Sequence, residues 1–277
     1  MHGLEITLPG GLLKNGALER RAVFAALTGK IELALLELEP ASAPPAYVSS
    51  VLLQVLETIG PEPVAVETLN ALCVADRQYL MLRLAALLGG EQLWLKATCG
   101  RCRAFFDIDI RRCDLPLKPA GETFPVTRLE LPVGQVEVRV PTAKDQLATL
   151  DMPEVEALTE LLRRCITRVN GVSPDPVLVA ELSPEDIAAI DRALDELSPA
   201  VCNELLVVCP ECRTEQSAKL NHYALPEVKS GAFYDEIHTL AMHYHWGEEE
   251  LLKMPRARRR RYLALINRST SLAGQLS

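Results

Sequence analysis

Cys99-Gly100-Arg101-Cys102 and Cys209-Pro210-Glu211-Cys212 are two Cys-x-x-Cys pairs set far apart in a chain of 277 residues. Each follows an apolar run, Leu93-Trp94-Leu95 before the first and Leu205–Val208 before the second, and each precedes a strand-like run. A two-residue spacer lets both sulfurs of a pair reach one ion, and two such pairs complete the tetrahedron that zinc takes. This is the layout of a zinc ribbon, two knuckles on two β-hairpins around one metal. It leaves 106 residues between the knuckles (209 − 102 − 1), and any fold has to close that loop. A redox dithiol and unliganded surface thiols stand as alternatives; redox pairs normally open a helix after a strand, and neither pair does. The expected ligands of a structural zinc are therefore Cys99, Cys102, Cys209 and Cys212. Arg101, Arg103 and Arg213 stand beside the sulfurs and offset the charge of about −2 that four thiolates leave on a divalent ion. Arg103 and Arg213 hold the position where ribbons often carry glycine for a left-handed turn. Cys73 and Cys165, in apolar surroundings, read as small core residues.

Hydrophobic residues make up 48% of the chain and charged ones 24%, which suits a sizeable packed core. The formal net charge is −8, against a general polyanion binder. No apolar stretch approaches the roughly 20 residues that span a bilayer, so no membrane contact is expected. Met1-His2-Gly3-Leu4-Glu5 shows no export signal, which points to reduced thiols free to bind metal.

Outward from the knuckles, Leu4, Ile6 and Leu8 alternate with polar residues before Pro9-Gly10-Gly11, and Ala22-Val23-Phe24 suits a returning strand. Thr28 opens a helix through Ile31, Leu35 and Leu38, stopped at Pro40, and Ala43-Pro44-Pro45 reads as a loop. Val48, Val51, Leu52, Val55 and Ile59 have helical spacing. Asp76 reads as the N-cap of a helix closed by Gly89-Gly90. Strands are expected at Val126–Leu131 and Val136–Val140. Asp151 reads as the cap of a helix carrying Val155, Leu158, Leu162, Cys165 and Val169, and Ser183 opens another with Ile187, Ile190, Leu194 and Leu197. After Pro226 the chain reads as three helical pieces broken at Gly247 and Pro255, with fraying from about Ser269. No repeat is visible beyond the two knuckles. The expected class is α+β: a zinc-ribbon-like β core with a helical insertion between the two CxxC knuckles and a helical C-terminal segment. The division is 1–90, an N-terminal hairpin plus helices; 91–225, the β core with its insertion at about 142–198; 226–268, the C-terminal helices; and 269–277, a flexible tail.

No catalytic constellation is legible. There is no glycine-rich phosphate loop, no Gly-x-Ser-x-Gly and no His-Glu-x-x-His. His243 and His245, two apart, point about 200° apart on a helix, and a four-cysteine site leaves no open coordination position. The basic run Arg256 and Arg258–Arg261 offers a nucleic-acid reading, set against a solvated helix face or a surface for an acidic partner. Net charge and 5% aromatic content favour the latter.

The string His238-x-x-Ala241-x-x-Tyr244-x-Trp246-x-x-x-Glu250-Leu251-Leu252-x-Met254-Pro255, followed by Arg258-Arg259 and Tyr262-Leu263, is distinctive. So is Asp76-Arg77-x-x-Leu80-x-x-Arg83-Leu84 shortly before a Cys-x-x-Cys. With the Cys-Pro-x-Cys of the second knuckle, these resemble the baseplate hub assembly proteins of T-even-type contractile phages, with relatives in phage-like contractile injection systems. The resemblance covers roughly Thr28 to Ile266. It implies a non-enzymatic chaperone, working in the bacterial host cytoplasm while the hub is built, either as a transient helper or as a retained subunit. Its partners would be baseplate hub or spike proteins, with no small-molecule substrate. Leu240, Tyr244, Trp246, Leu251 and Leu252 would form an apolar docking face rimmed by Arg256, Arg258 and Arg259, or else pack the C-terminal helices onto the body. The competing function is a zinc-ribbon regulator that binds nucleic acid through the arginine cluster.

Overall fold

The structure, a computed structural model, describes residues 3–38, 44–174, 177, 179, 182–225 and 230–274; Pro40, Ala43 and Pro226 lie outside them. Strands β1 (Leu4–Lys14) and β2 (Ala17–Phe24) form an antiparallel hairpin. Helices α1 (Gly29–Glu37) and α2 (Pro44–Val55) follow, and α2 runs directly into β3 (Leu56–Ile59), which pairs with β2. After β4 (Glu62–Pro63) come α3 (Val66–Ala71) and α4 (Val74–Gly89). The hairpin β5 (Gln92–Thr98) and β6 (Phe105–Arg111) carries the first cysteine pair at its tip. Then β7 (Leu117–Lys118) leads to a second hairpin, β8 (Val126–Leu131) and β9 (Gly134–Arg139). Helix α5 (Ala143–Thr149) precedes α6 (Glu154–Cys165), which runs directly into β10 (Ile166–Val169), paired with β9. Helix α7 (Pro184–Leu197) and β11 (Ala200–Val201) lead to the hairpin β12 (Glu204–Val208) and β13 (Glu215–Lys219), with the second cysteine pair at its tip. The C-terminal helices are α8 (Ser230–Tyr244), α9 (Glu248–Lys253) and α10 (Arg256–Gly274). The fold is α+β, with several small sheets.

Sequence spacing predicts one helix from Val48 to Ile59 and another from Val155 to Val169. Both end early, at Val55 and Cys165, and finish as strands. Leu56 and Ile59 keep their apolar side chains inward either way, but as strand residues they face Phe24 and Ala22 in the sheet. Ile166 and Val169 do the same opposite Val138 and Val136. An available strand edge replaces the last helical hydrogen bonds, and the β-branched Thr58, Ile59, Ile166, Thr167 and Val169 favour the exchange.

The same switch occurs twice because the chain contains a repeat that its sequence hides. Helix α2 and strand β3 recur as α6 and β10 at a constant offset of 110 positions (154 − 44, 166 − 56), and α4 recurs as α7 at the same offset (184 − 74). Leu52, Leu56, Ile59, Leu69 and Leu80 in the first core recur as Leu162, Ile166, Val169, Val179 and Ile190 in the second, all buried. The cysteine pairs obey the same offset (209 − 99, 212 − 102). What is kept is the apolar character of these positions. A core constrains size and polarity more tightly than identity, so the repeat escapes a reading by motif.

The two repeats dock through one device. Ala143, the first residue of α5, donates its N–H to the Leu72 carbonyl at 3.1 Å, and Thr142 bridges Cys73 between α3 and α4. The same device recurs at the C-terminal helices, where Gly29 of α1 donates to the Met254 carbonyl at 3.2 Å and Thr28 bridges Pro255 between α9 and α10. The run Leu69–Arg77 thus has a counterpart in Leu251–Arg259, 182 positions on (251 − 69). Arg77 and Arg259, which correspond, are both fully buried. The C-terminal helices are a third, strandless copy of the helical part.

Asp76 does not cap α4. Cys73 holds the N-cap position, and the Asp76 carboxylate turns inward to accept the Gly10 and Gly11 N–H groups, each at 2.8 Å. Those glycines form an irregularity in β1, and a Cβ on Gly10 would lie 2.8 Å from the same carboxylate. Local capping rules cannot see a partner more than sixty residues away. Asp145 in α5 is a second buried acid, held by Arg139 at 2.6 and 2.8 Å, by Arg164 at 3.1 Å and by the Thr142 N–H at 2.9 Å. Burial works against its charge, but Arg139 and Thr142 outweigh it and bring the carboxyl down to about 2. Unfolded, the group titrates near 3.9, so its contribution is complete well above pH 4 and is lost as pH falls through about 2. Asp145→Asn is expected to cost about 2 kcal/mol at pH 7 and progressively less as pH falls toward about 2 and below, so wild-type and variant denaturation midpoints should converge on acidification.

Candidate metal centre

Each cysteine pair sits where a two-stranded hairpin turns back, and the two turns have the same local build. The Cys99 N–H donates to the Ala104 carbonyl at 2.8 Å and the Arg103 N–H to the Cys99 carbonyl at 3.0 Å. In the second knuckle, Cys209 donates to Thr214 at 2.9 Å and Arg213 to Cys209 at 3.0 Å. Arg103 has φ 64° and Arg213 φ 60°, so the left-handed turn forms without the glycine that usually relieves it. An L-residue there costs about 1–2 kcal/mol, partly recovered because arginine has less backbone freedom to lose than glycine. Arg103→Gly is expected to raise stability by about 0.5–1 kcal/mol with metal binding retained, read from melting of the metal-loaded chain.

The two turns meet tip to tip. Cys99 Sγ lies 3.6 Å from Cys212 Sγ, and Cys102 Sγ lies 3.7 Å from Cys209 Sγ. All four sulfurs lie within 4.8 Å of one another. A tetrahedron with metal–sulfur bonds of about 2.3 Å has edges of about 3.8 Å, so the cluster has the right size for zinc. A disulfide needs about 2.05 Å, and all eight cysteines are free thiols. Exchanging the repeats turns the Cys99–Cys212 contact into the Cys209–Cys102 contact, so the centre has the symmetry of the repeat. Gln216 crosses between the hairpins, accepting the Gly100 N–H at 3.0 Å and donating to the Thr98 carbonyl at 3.2 Å.

The sulfurs are electrostatically unequal. The Thr214 hydroxyl, 3.3 Å away, and its N–H draw the Cys212 thiol down to about 6. Against the pull of the Ala104 N–H, desolvation and the neighbouring thiols push Cys102 up to about 12. One thiolate forms readily and the next is resisted by its neighbours, a balance that a divalent cation reverses. Cys99 and Cys209 are fully buried. Cys73 and Cys165, also buried, lie in the packed interior, and desolvation pushes both thiols up.

The residues expected at a partner surface divide. Leu240, Leu251 and Arg259 are interior. Tyr244, Trp246, Leu252 and Arg256 are half-buried, and Arg258 is exposed. Leu240 and Leu251 form one core with Leu33 and Leu36 of α1, against which Tyr244, Trp246 and Leu252 also pack. Trp246 stacks on Tyr244 at 4.5 Å between ring centres and meets Tyr262 edge-on at 4.8 Å. Arg259 bonds Glu32 at 2.6 Å, Glu236 at 2.7 Å and the Met254 carbonyl at 2.7 Å. Arg256 pairs with Glu32 at 3.3 Å and donates to the Leu88 carbonyl at the end of α4. Two members of the arginine run therefore neutralise acids inside the molecule.

The Asp76-Arg77 pair before the first knuckle is likewise interior, with Arg77 donating to Ser49 Oγ at 2.9 Å and to the Leu69 and Pro45 carbonyls. Sequence reasoning missed Asp145, Glu32 and Glu236; a charged residue on the apolar stripe of an amphipathic helix was the available signal for the first two. Among the described residues, no helix is long and apolar enough to cross a membrane.

No curated protein and no solved structure matches the chain. A family model described as T4 bacteriophage base plate protein matches residues 17–224, about three quarters of the chain, including both cysteine pairs and both repeats. The chain belongs to this family of phage baseplate proteins.

Proposed function

We propose that the chain is a non-enzymatic assembly factor for the baseplate hub of a contractile phage tail or a phage-like injection system, braced by a structural zinc at Cys99, Cys102, Cys209 and Cys212. The observation that carries this reading is the family match, which extends over the whole of the duplicated body. The four-thiol cluster supports the metal: each repeat gives two ligands, so a bound ion ties the repeats at the hairpin tips as α5 ties them at α3 and α4. Four thiolates complete the tetrahedron and leave no position for substrate or water, which suits bracing and not catalysis. In this reading the two ribbon hairpins form one zinc-bound lobe, and the C-terminal helices pack on α1.

The partner surface in this reading is the accessible edge of the C-terminal helices: Tyr244, Trp246, Leu252, Arg256 and Arg258, with Leu240, Leu251 and Arg259 supporting it from within. Its partners are hub or spike proteins met in the host cytoplasm. Trp246→Ala removes a ring stacked at the surface edge. It is expected to reduce recovery of hub proteins with a tagged copy at least tenfold while the far-UV circular dichroism stays unchanged; undiminished recovery would remove this surface from the account. Comparing the same pull-down with purified particles separates a transient helper, found only in the first, from a retained subunit, found in both.

A further inference from the structure

We propose that the cavity at the roots of the two cysteine hairpins binds an acidic residue and its aliphatic neighbour on a segment of another baseplate protein. The site is argued from the cavity alone; only the identity of the protein that supplies the segment rests on the proposed function.

The cavity, about 280 Å³, lies between α4, β5 and the chain leaving β13. Leu82, Leu93, Leu95, Leu220 and Leu225 give it apolar walls, and Arg112, Lys219 and His222 also line it. Arg112 and His222 stand at corresponding places in the two repeats, 110 positions apart (222 − 112). Each holds the carbonyl near the start of its own hairpin: Arg112 Nη1 donates to Gln92 and His222 Nε2 to Cys202, both at 2.7 Å. Both side chains are only 8% exposed. The fold thus brings two equivalent polar positions to one apolar cavity, as it brings the four cysteines to one point at the tips.

The polar groups say what the occupant carries. Arg112 spends Nη1 on the Gly90 and Gln92 carbonyls, each at 2.7 Å. Its Nε and Nη2, the edge that grips a carboxylate through two parallel bonds, have no partner among the described residues. Glu91 favours the guanidinium charge but turns to Arg83 at 3.5 Å, and burial outweighs it and pulls Arg112 below its usual range. A buried cation without a paired anion is costly, and an entering carboxylate offsets that cost. Lys219 is exposed and forms no ion pair among the described residues, although Glu204 stands opposite it in the β12–β13 ladder. His222 gives its N–H to Cys202, and burial holds it below its usual range, so near pH 7 the ring is neutral and Nδ1 is an acceptor without a partner among the described residues. A polypeptide segment supplies every complement at once: a carboxylate for Arg112 and Lys219, a backbone N–H for His222 and an aliphatic side chain for the walls. A free fatty carboxylate has no donor for Nδ1. The cavity is also smaller than the roughly 300–1,000 Å³ of pockets that bury a whole small molecule, which suits one or two side chains of a longer segment.

The test places a photo-crosslinking amino acid at the exposed Ala224, which lines the cavity, in the full-length protein expressed in the host during particle assembly, with the linked peptides mapped by mass spectrometry. The expected product is a segment of another baseplate protein with Asp or Glu beside Leu, Ile, Val or Met. Its yield should fall about tenfold with Lys219→Glu and hold within about twofold with Lys96→Glu, an exposed lysine of β5 outside the cavity lining. On the purified full-length protein, hexanoate should shift the NMR signals of the His222 ring and the Leu93 and Leu95 methyls at a concentration about tenfold lower than hexanamide, which has the same shape without the charge. Equal responses to the two probes, equal yields in the two lysine variants, products confined to a second copy of this chain, or no product overturn the proposal. An acidic-aliphatic segment from a protein outside the baseplate upholds the site and overturns the assembly reading instead.

Discussion

Arg259→Ala is expected to destabilise the chain by about 3–5 kcal/mol, the range for removing one partner of a buried ion pair. Arg259 is fully buried and binds two carboxylates, Glu32 of α1 and Glu236 of α8. Truncation leaves Glu32, itself only 2% exposed, with the half-buried Arg256 as its remaining cation, and leaves Glu236 without Arg259. The loss should concentrate at the junction between α1 and the C-terminal helices. Amide exchange in α8–α10 should speed up well before exchange in α2 or α4. Arg260→Ala, one residue away and exposed, is expected to stay within about 0.5 kcal/mol. Equal effects of the two variants in urea denaturation would contradict this assignment. The same measurement bears on nucleic acid. If Arg256 and Arg259 hold the fold, the exposed Arg258, Arg260 and Arg261 are left on a chain of net charge −8, and any binding to DNA should be weak and abolished by moderate salt.

The second large effect belongs to the metal. Cys99→Ser and Cys209→Ser are each expected to release the ion completely, because either substitution leaves three ligands split between two repeats. At a free zinc concentration a thousand times the dissociation constant, the loss corresponds to about 4 kcal/mol. Chelation of the wild type should reproduce it. The physical signature is local: β5–β6 and β12–β13 should lose exchange protection. The cores around Leu52 and Ile190, which are buried independently of the hairpins, should keep it. A cooperative loss of all structure on chelation would mean that the ion nucleates the repeats instead of clamping them.

The cysteine cluster was legible because its chemistry is local: spacing within each knuckle and strand context on either side are enough to bring two sulfurs to one point. Helix α8 and its successors were legible from Gly247 and Pro255 for the same reason. The helix-to-strand switches at Val55 and Cys165 were not, since apolar residues three and four apart fit a helix until a sheet edge competes for them. Asp76 looked like a cap, and Arg259 like part of a solvated face. Gly10, Gly11, Glu32 and Glu236, brought close only by the tertiary fold, decide otherwise. The repeat shows the same limit most plainly. Thr28 and Thr142 carry out the same docking step, yet nothing near either residue announces it.

The central claim is that one metal ion joins two copies of one structural unit through paired ligands. Native mass spectrometry of the purified full-length protein tests it most directly. The account predicts one zinc ion per chain in the wild type and none in either Cys99→Ser or Cys209→Ser, all three remaining monodisperse and folded. A folded wild type without metal, its cysteines instead joined as disulfides, would contradict it. So would a variant that keeps a full complement of zinc with one knuckle broken.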